Sequence, residues 1–162
     1  MSRNKFGFIL VIALVFMIGA CNGANSQPGT DLGKAPDFTL EKVSGGEIVL
    51  SDELKERNVV LVFFATWCPH CVAEVPSVNK FYSEYKDTVS VAGINIQENK
   101  AKVSNFIKKR KVEYPIALDS DGTVAGRYNV RGIPAVFAID KSGKIIYTGH
   151  SVEEMKAKIK WD

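Results

Sequence analysis

VVLVFFATWCPHC, residues 59–71, is the stretch on which the fold turns. Val59 to Ala65 is continuously apolar and rich in β-branched and aromatic side chains, the pattern of a central strand buried on both faces. The residues from Pro69 to about Lys86 then read as a helix, with a kink expected at Pro76. Cys68 therefore falls at a strand-to-helix turn, where backbone N–H groups point outward and the helix dipole favours an anion. A thiolate stabilised there has a lowered pKa, which makes Cys68 the expected exposed nucleophile toward a disulfide. Cys71, one helical turn on, is placed to resolve the mixed disulfide.

Two other readings of the pair are half of a zinc site and two inert buried thiols. Zinc needs two further ligands. Cys21, the third cysteine, lies in the leader, and His70 and His150 are far from the close His pairing of a zinc motif. Inert thiols would not need Pro69 and His70 between them.

Outward from this centre the chain alternates strands and helices. Asp37 to Val43 and Glu47 to Leu50 flank Ser44-Gly45-Gly46, a hairpin signal, and Ser51 is expected to cap a short helix that has Asp52 and Glu53 in its first turn. Beyond the central helix the pattern predicts a strand at Val89 to Ile96 and a helix at Lys100 to Lys111 with Val103, Phe106 and Ile107 on one face. A short strand near Pro115 to Leu118 and a helical turn around Thr123 to Tyr128 follow. A hairpin then runs from Ala135 to Ile139 and back from Lys144 to Thr148, before a last helix over about Val152 to Lys160. This order predicts an α/β fold: a mixed central sheet flanked by helices, with an added N-terminal β-hairpin.

The chain has 162 residues, 46% apolar and 24% charged, which is room for one domain and an appendage. With 21 Lys and Arg against 18 Asp and Glu the net charge is +3, so no nucleic-acid partner is indicated. Three cysteines are too few for a disulfide-stapled scaffold. The basic run Lys108 to Lys111 sits at a helix C-terminus and reads as a solvated face.

The appendage is N-terminal. Arg3 and Lys5 precede an uncharged run from Phe6 to Ala20, laid out as a signal peptide. At about 1.5 Å per residue that run reaches roughly 22 Å, short of a bilayer's hydrocarbon core of about 30 Å. Residues 1–20 hold two basic residues and no acidic one, so without them the charge is +1. Ile18-Gly19-Ala20-Cys21 resembles a bacterial lipoprotein processing site, which implies cleavage after residue 20 and lipid on Cys21. Residues 22–35, NGANSQPGTDLGKA, read as a flexible tether, and the folded domain is expected over 36–162.

WCPHC after an apolar strand, Glu74 and Pro76 shortly after it, an APDFTL start and RGIP at 131–134 together resemble the thioredoxin superfamily, closest in layout to its membrane-tethered TlpA and ResA branch. The resemblance implies a thioredoxin-like fold and a thiol-disulfide oxidoreductase, with no cofactor beyond a redox-active Cys68–Cys71 disulfide and no metal. It further implies that Pro134 is a cis proline beside the site and that Ile133 offers backbone groups to a bound substrate. Trp67 would wall the site, and Pro69 and His70 would tune it. Thioredoxin carries a buried aspartate five residues before the site tryptophan; here that position is Val62. Glu74 is expected to replace it as a semi-buried carboxylate with a raised pKa, exchanging protons with Cys71.

His70 resembles instead the dipeptide of the oxidant DsbA, and an imidazole that stabilises the reduced thiolate pushes the couple toward oxidising. His150 has no partner in the sequence around it and reads as a surface residue. The expected partners are thiols and disulfides of exported proteins, apocytochrome c among them, a membrane thiol-disulfide electron donor, and the membrane itself through the lipid anchor. A monomer is expected, outside the cytoplasm, acting in the reducing direction. The alternatives are a DsbA-like oxidant and a Sco-like copper chaperone. A peroxiredoxin, which shares the APDFTL-like start, fails because Thr66 lies only two residues before Cys68.

Overall fold

Strand β3, Asn58–Phe64, occupies the middle of a five-stranded sheet, and its side chains divide by parity between two cores. Val60, Val62 and Phe64 enter one, Val59, Leu61 and Phe63 the other. The computed structural model describes residues 32–161. Residues 1–31, with the expected signal peptide, Cys21 and most of the expected tether, lie outside the described residues.

Around β3 the chain contributes β1 (Thr39–Glu41), β2 (Glu47–Val49), α1 (Leu50–Glu56), α2 (Pro69–Tyr85), β4 (Val89–Ile96), α3 (Lys100–Arg110) and β5 (Ile116–Asp119). Then come α4 (Thr123–Arg127), β6 (Ala135–Ile139), β7 (Ile145–Gly149) and α5 (Val152–Lys158). The sheet order is β5-β4-β3-β6-β7, parallel from β5 to β3 and antiparallel at β6 and β7. The β1–β2 hairpin joins it at β5, where the Val43 amide donates to the Ile116 carbonyl at 2.9 Å. This is the mixed α/β sheet with an added hairpin that the sequence predicts.

One core takes buried side chains from α2, α3 and α5; the other takes them from the hairpin, α1 and α4. Gly93 of β4 has a steric reason: a Cβ there would run into the Ile116 side chain. Val62, in the place of the missing aspartate, is 3% exposed within the first core.

Two local expectations change. Helix α1 starts two residues earlier than a Ser51 cap requires, with Val49 at the N-cap and no capping side chain. The Ser51 amide instead donates to Asp37 Oδ1 at 3.0 Å, a contact fourteen residues away in sequence. Helix α2 runs through Pro76 to Tyr85, close to the expected end near Lys86, and the proline's lack of N–H deprives the Val72 carbonyl of its donor. Residues 32–35, assigned by composition to the tether, belong to the folded part: Ala35 donates to Gly143, Ile145 donates to Gly33, and Leu32 packs on the second core.

The turn between β3 and α2 is pinned from β4's side. Glu98, 8% exposed, takes the Thr66 amide (2.6 Å) and Asn95 Nδ2 (2.8 Å) on Oε2. Its Oε1 takes the Thr66 hydroxyl and Lys102 Nζ, both at 2.7 Å. Burial alone would push this carboxyl up, but hydrogen bonds from Asn95, Lys102 and Thr66 outweigh it and hold the pKa down at about 2.

A folded-state value depressed below the ordinary 4.5 gives stability that is fully present above about pH 4.5 and drains away as the pH falls toward about 2. Glu98→Gln sets an amide NH₂ against groups that donate, and should cost roughly 1–3 kcal/mol at neutral pH. Urea midpoints measured from pH 7 to 2 should show this loss, and a flatter acid limb than that of the parent.

Candidate functional site

Ala65 to Cys71 emerges at the end of β3 where α2 begins. Cys68 is the N-cap of α2 and Pro69 its first residue, where a missing N–H costs nothing. The Cys68 sulfur accepts the Cys71 amide at 3.2 Å, so the helix's own unpaired N–H meets the thiol. On its other side it lies 3.6 Å from the Ile133 carbonyl, to which the thiol donates. The Ile133–Pro134 peptide is cis.

The expected exposure of Cys68 is overturned: it is 4% exposed, as is Cys71. Its sulfur is enclosed between the helix terminus and the Ile133 segment, and both cysteines are free thiols built into the first core. Burial pushes the Cys71 thiol up to about 12, and its hydrogen bond with the Cys68 sulfur adds to the shift. At neutral pH Cys71 is therefore a thiol, and any attack by it must first shed a proton.

Trp67, 67% exposed, stands at the lip of the site. His70 is exposed and borders an open hollow with Ala73, Glu74, Ile133, Pro134 and His150. Glu74 is half-buried, one turn beyond Cys71. It holds a partner that the sequence does not announce: Oε1 accepts the Val152 amide at 2.6 Å, an anion on the first N–H of α5. Behind the pair lies Tyr114, 6% exposed, whose hydroxyl is pushed well above the usual tyrosine range, first by burial and then by the charges of Glu74 and Cys71.

His150 lies at the surface, as its sequence suggests, and has a partner remote in the chain. Its ring Nδ1 lies 2.8 Å from the Pro134 carbonyl and the residue helps wall the hollow. Sixteen residues separate the two in sequence, and no periodicity links them. Among the described residues no three His, Cys, Asp or Glu side chains gather as metal ligands would.

The Redoxin family profile matches residues 31–160. The thiol-disulfide oxidoreductase ResA of Bacillus subtilis (strain 168) is 35% identical over 156 residues, covering 94% of this chain and 87% of its own. That of Geobacillus thermodenitrificans is 37% identical over 156 residues, covering 94% and 88%. Among solved structures, a putative thiol:disulfide interchange protein DsbE from Chlorobium tepidum superposes with a TM-score of 0.69 at 30% identity, over 77% of this chain and 89% of that one. StoA from Bacillus subtilis does so at 0.66 and 29%, over 76% and 96%. Matched along nearly its whole length by enzymes of one chemistry, and carrying two thiols where that chemistry needs them, the chain belongs to the Redoxin family and is a thiol-disulfide oxidoreductase of the ResA-like, thioredoxin-fold branch.

Proposed function

We propose that this oxidoreductase works outside the cytoplasm, held to a membrane by lipid on Cys21, and passes electrons to disulfides of exported proteins, apocytochrome c among them. One observation carries the reading: the Cys68 sulfur sits between the Cys71 amide and the Ile133 carbonyl, and Ile133 lines an open hollow that a substrate chain can enter. The leader's layout, with Cys21 closing its apolar run, supports the location.

The reaction balances without a cofactor. Cys68 as thiolate attacks one sulfur of the substrate disulfide, forming a mixed disulfide and releasing the other sulfur as a thiolate that takes up a proton. Cys71 loses its proton and attacks Cys68 Sγ. The Cys68–Cys71 disulfide forms, the second substrate thiol leaves, and two electrons have passed to the substrate. A membrane-borne dithiol resets the pair by the reverse exchange, and one copy of the chain suffices.

Resolution requires the Cys71 proton to leave, and burial holds that thiol in its protonated form. Glu74 is the carboxylate nearest along α2, and with Oε1 occupied by Val152 its second oxygen is the acceptor for that proton. His70 works against the reducing direction, since an imidazole beside the thiolate favours the reduced enzyme. Each 30 mV of a two-electron couple is about 1.4 kcal/mol, so one such interaction tunes the couple by a few tens of millivolts and leaves its direction to the redox partner.

Mass spectrometry of the full protein, recovered from membranes after rapid thiol blocking, tests place and direction together. An acylated N-terminus at Cys21 with Cys68 and Cys71 mostly blocked as thiols is expected. An intact Met1 would defeat the anchor. A mostly oxidised pair, with loss of substrate disulfides on deletion, would make the enzyme a DsbA-like oxidant.

Cys71→Ser should trap mixed disulfides through Cys68, and Cys68→Ser should trap none; equal trapping on nonreducing gels would reverse the assignment. Glu74→Gln keeps the acceptor for Val152 and removes the base. Resolution of the mixed disulfide in stopped flow should slow, and its rate should then climb by about tenfold per pH unit, following the Cys71 thiolate fraction. Unchanged rates across the pH range would leave Glu74 with only its structural bond to α5.

A further inference from the structure

The substrate-facing segment needs something to hold it. Pro134 has no N–H, and it lies beyond both ladders of β6: the last β3 pair is Phe63 with Ala135, and the last β7 pair is Val136 with Gly149. Its carbonyl is therefore outside the sheet's hydrogen bonding. The bond comes from His150, the residue after β7 ends, at 2.8 Å. A carbonyl oxygen can only accept, so Nδ1 carries the hydrogen and Nε2 is the ring's remaining polar atom.

The chain reaches this position through Gly149, where a side chain would collide with the Tyr147 ring. On one side His150 borders the hollow that contains Ile133, Ala73 and His70; on the other it borders a second hollow with Arg131 and Gly132. It thus forms the ridge between them. Two residues later the Val152 amide is fixed by Glu74. Residues 150–152 therefore tie the Ile133–Pro134 segment to α2, the helix that carries both cysteines.

We propose that His150 is a positioning residue for substrate: bonded to the Pro134 carbonyl and standing between the two hollows, its imidazole fixes the Ile133 backbone against which a peptide disulfide is seated beside Cys68. The groups facing it are His70, Glu74 and Arg131, so a substrate segment meets a mixed polar rim on either side of one fixed ridge. The inference rests on the disulfide exchange described above and names its substrate class: an extended peptide chain, as distinct from a small disulfide that needs only the sulfur.

Two variants separate the bond from the bulk of the ring. His150→Asn puts an amide N–H on the same carbon that bears Nδ1 in the imidazole, so it keeps a donor for Pro134; His150→Phe keeps a ring and removes the donor. With the full chain, an oxidised peptide cyclised through Cys-Xaa-Xaa-Cys should show a KM about three- to tenfold higher in His150→Phe, the worth of one hydrogen bond, with kcat within about twofold. Reduction of 5,5′-dithiobis(2-nitrobenzoate), which has no peptide chain to seat, should be unchanged, and His150→Asn should restore the peptide KM. An unchanged peptide KM in His150→Phe overturns the proposal, and so does equal loss on both substrates or a His150→Asn variant as impaired as His150→Phe. A parent enzyme inert toward both disulfides would instead overturn the exchange reading, and this inference with it.

Discussion

Everything at the site depends on β3 being enclosed on both faces and paired on both edges. A strand so held cannot shift register without moving apolar side chains from one core to the other, since alternate residues serve opposite faces. Its C-terminal end is therefore a fixed point, and the residues that follow it inherit that fixity. Glu98 extends the constraint past the last strand residue by taking both the amide and the hydroxyl of Thr66. Cys68 is thereby delivered to the first turn of α2 in one orientation.

The two thiols share a helix and nearly equal burial, yet their surroundings divide their chemistry. Cys68 meets a backbone amide and a carbonyl on a segment open to a hollow, whereas Cys71 is packed among side chains and held as a thiol. Glu74 then serves two elements at once. Its carboxylate holds the N-terminus of α5 while lying one turn from Cys71, so the last helix of the chain depends on the same residue as the proposed proton transfer. Replacing that residue by alanine would confound the two, which is why the amide variant is the informative one.

Where the chain's chemistry is local, the sequence can be read. The apolar run of β3, the cysteines at the head of a helix and the alternation of elements all depend on neighbours within a few positions. The cis bond before Pro134 follows from likeness to a family rather than from any local pattern. What escapes is tertiary. The Asp37 contact displaces Ser51 from its expected capping role, and Glu98 reaches Thr66 across thirty-two positions. His150 likewise finds Pro134 only because β6 and β7 lie side by side. The polarity of a helix terminus makes Cys68 read as exposed; the Ile133 segment that encloses it is sixty-five positions away.

The pairing of residues 33–35 with the β6–β7 turn has a mechanical consequence. Gly143 and Lys144 lie at the end of the sheet where β3 begins, as the Val59–Ile139 pair places them, whereas Cys68 follows the end where β3 finishes. Seven strand residues at about 3.3 Å each, roughly 23 Å, separate the two poles. A pull on the chain ahead of residue 32 is thus borne by the hydrogen bonds of Gly33 and Ala35 at the far pole, and the interlocked central strands stand between that load and the dithiol.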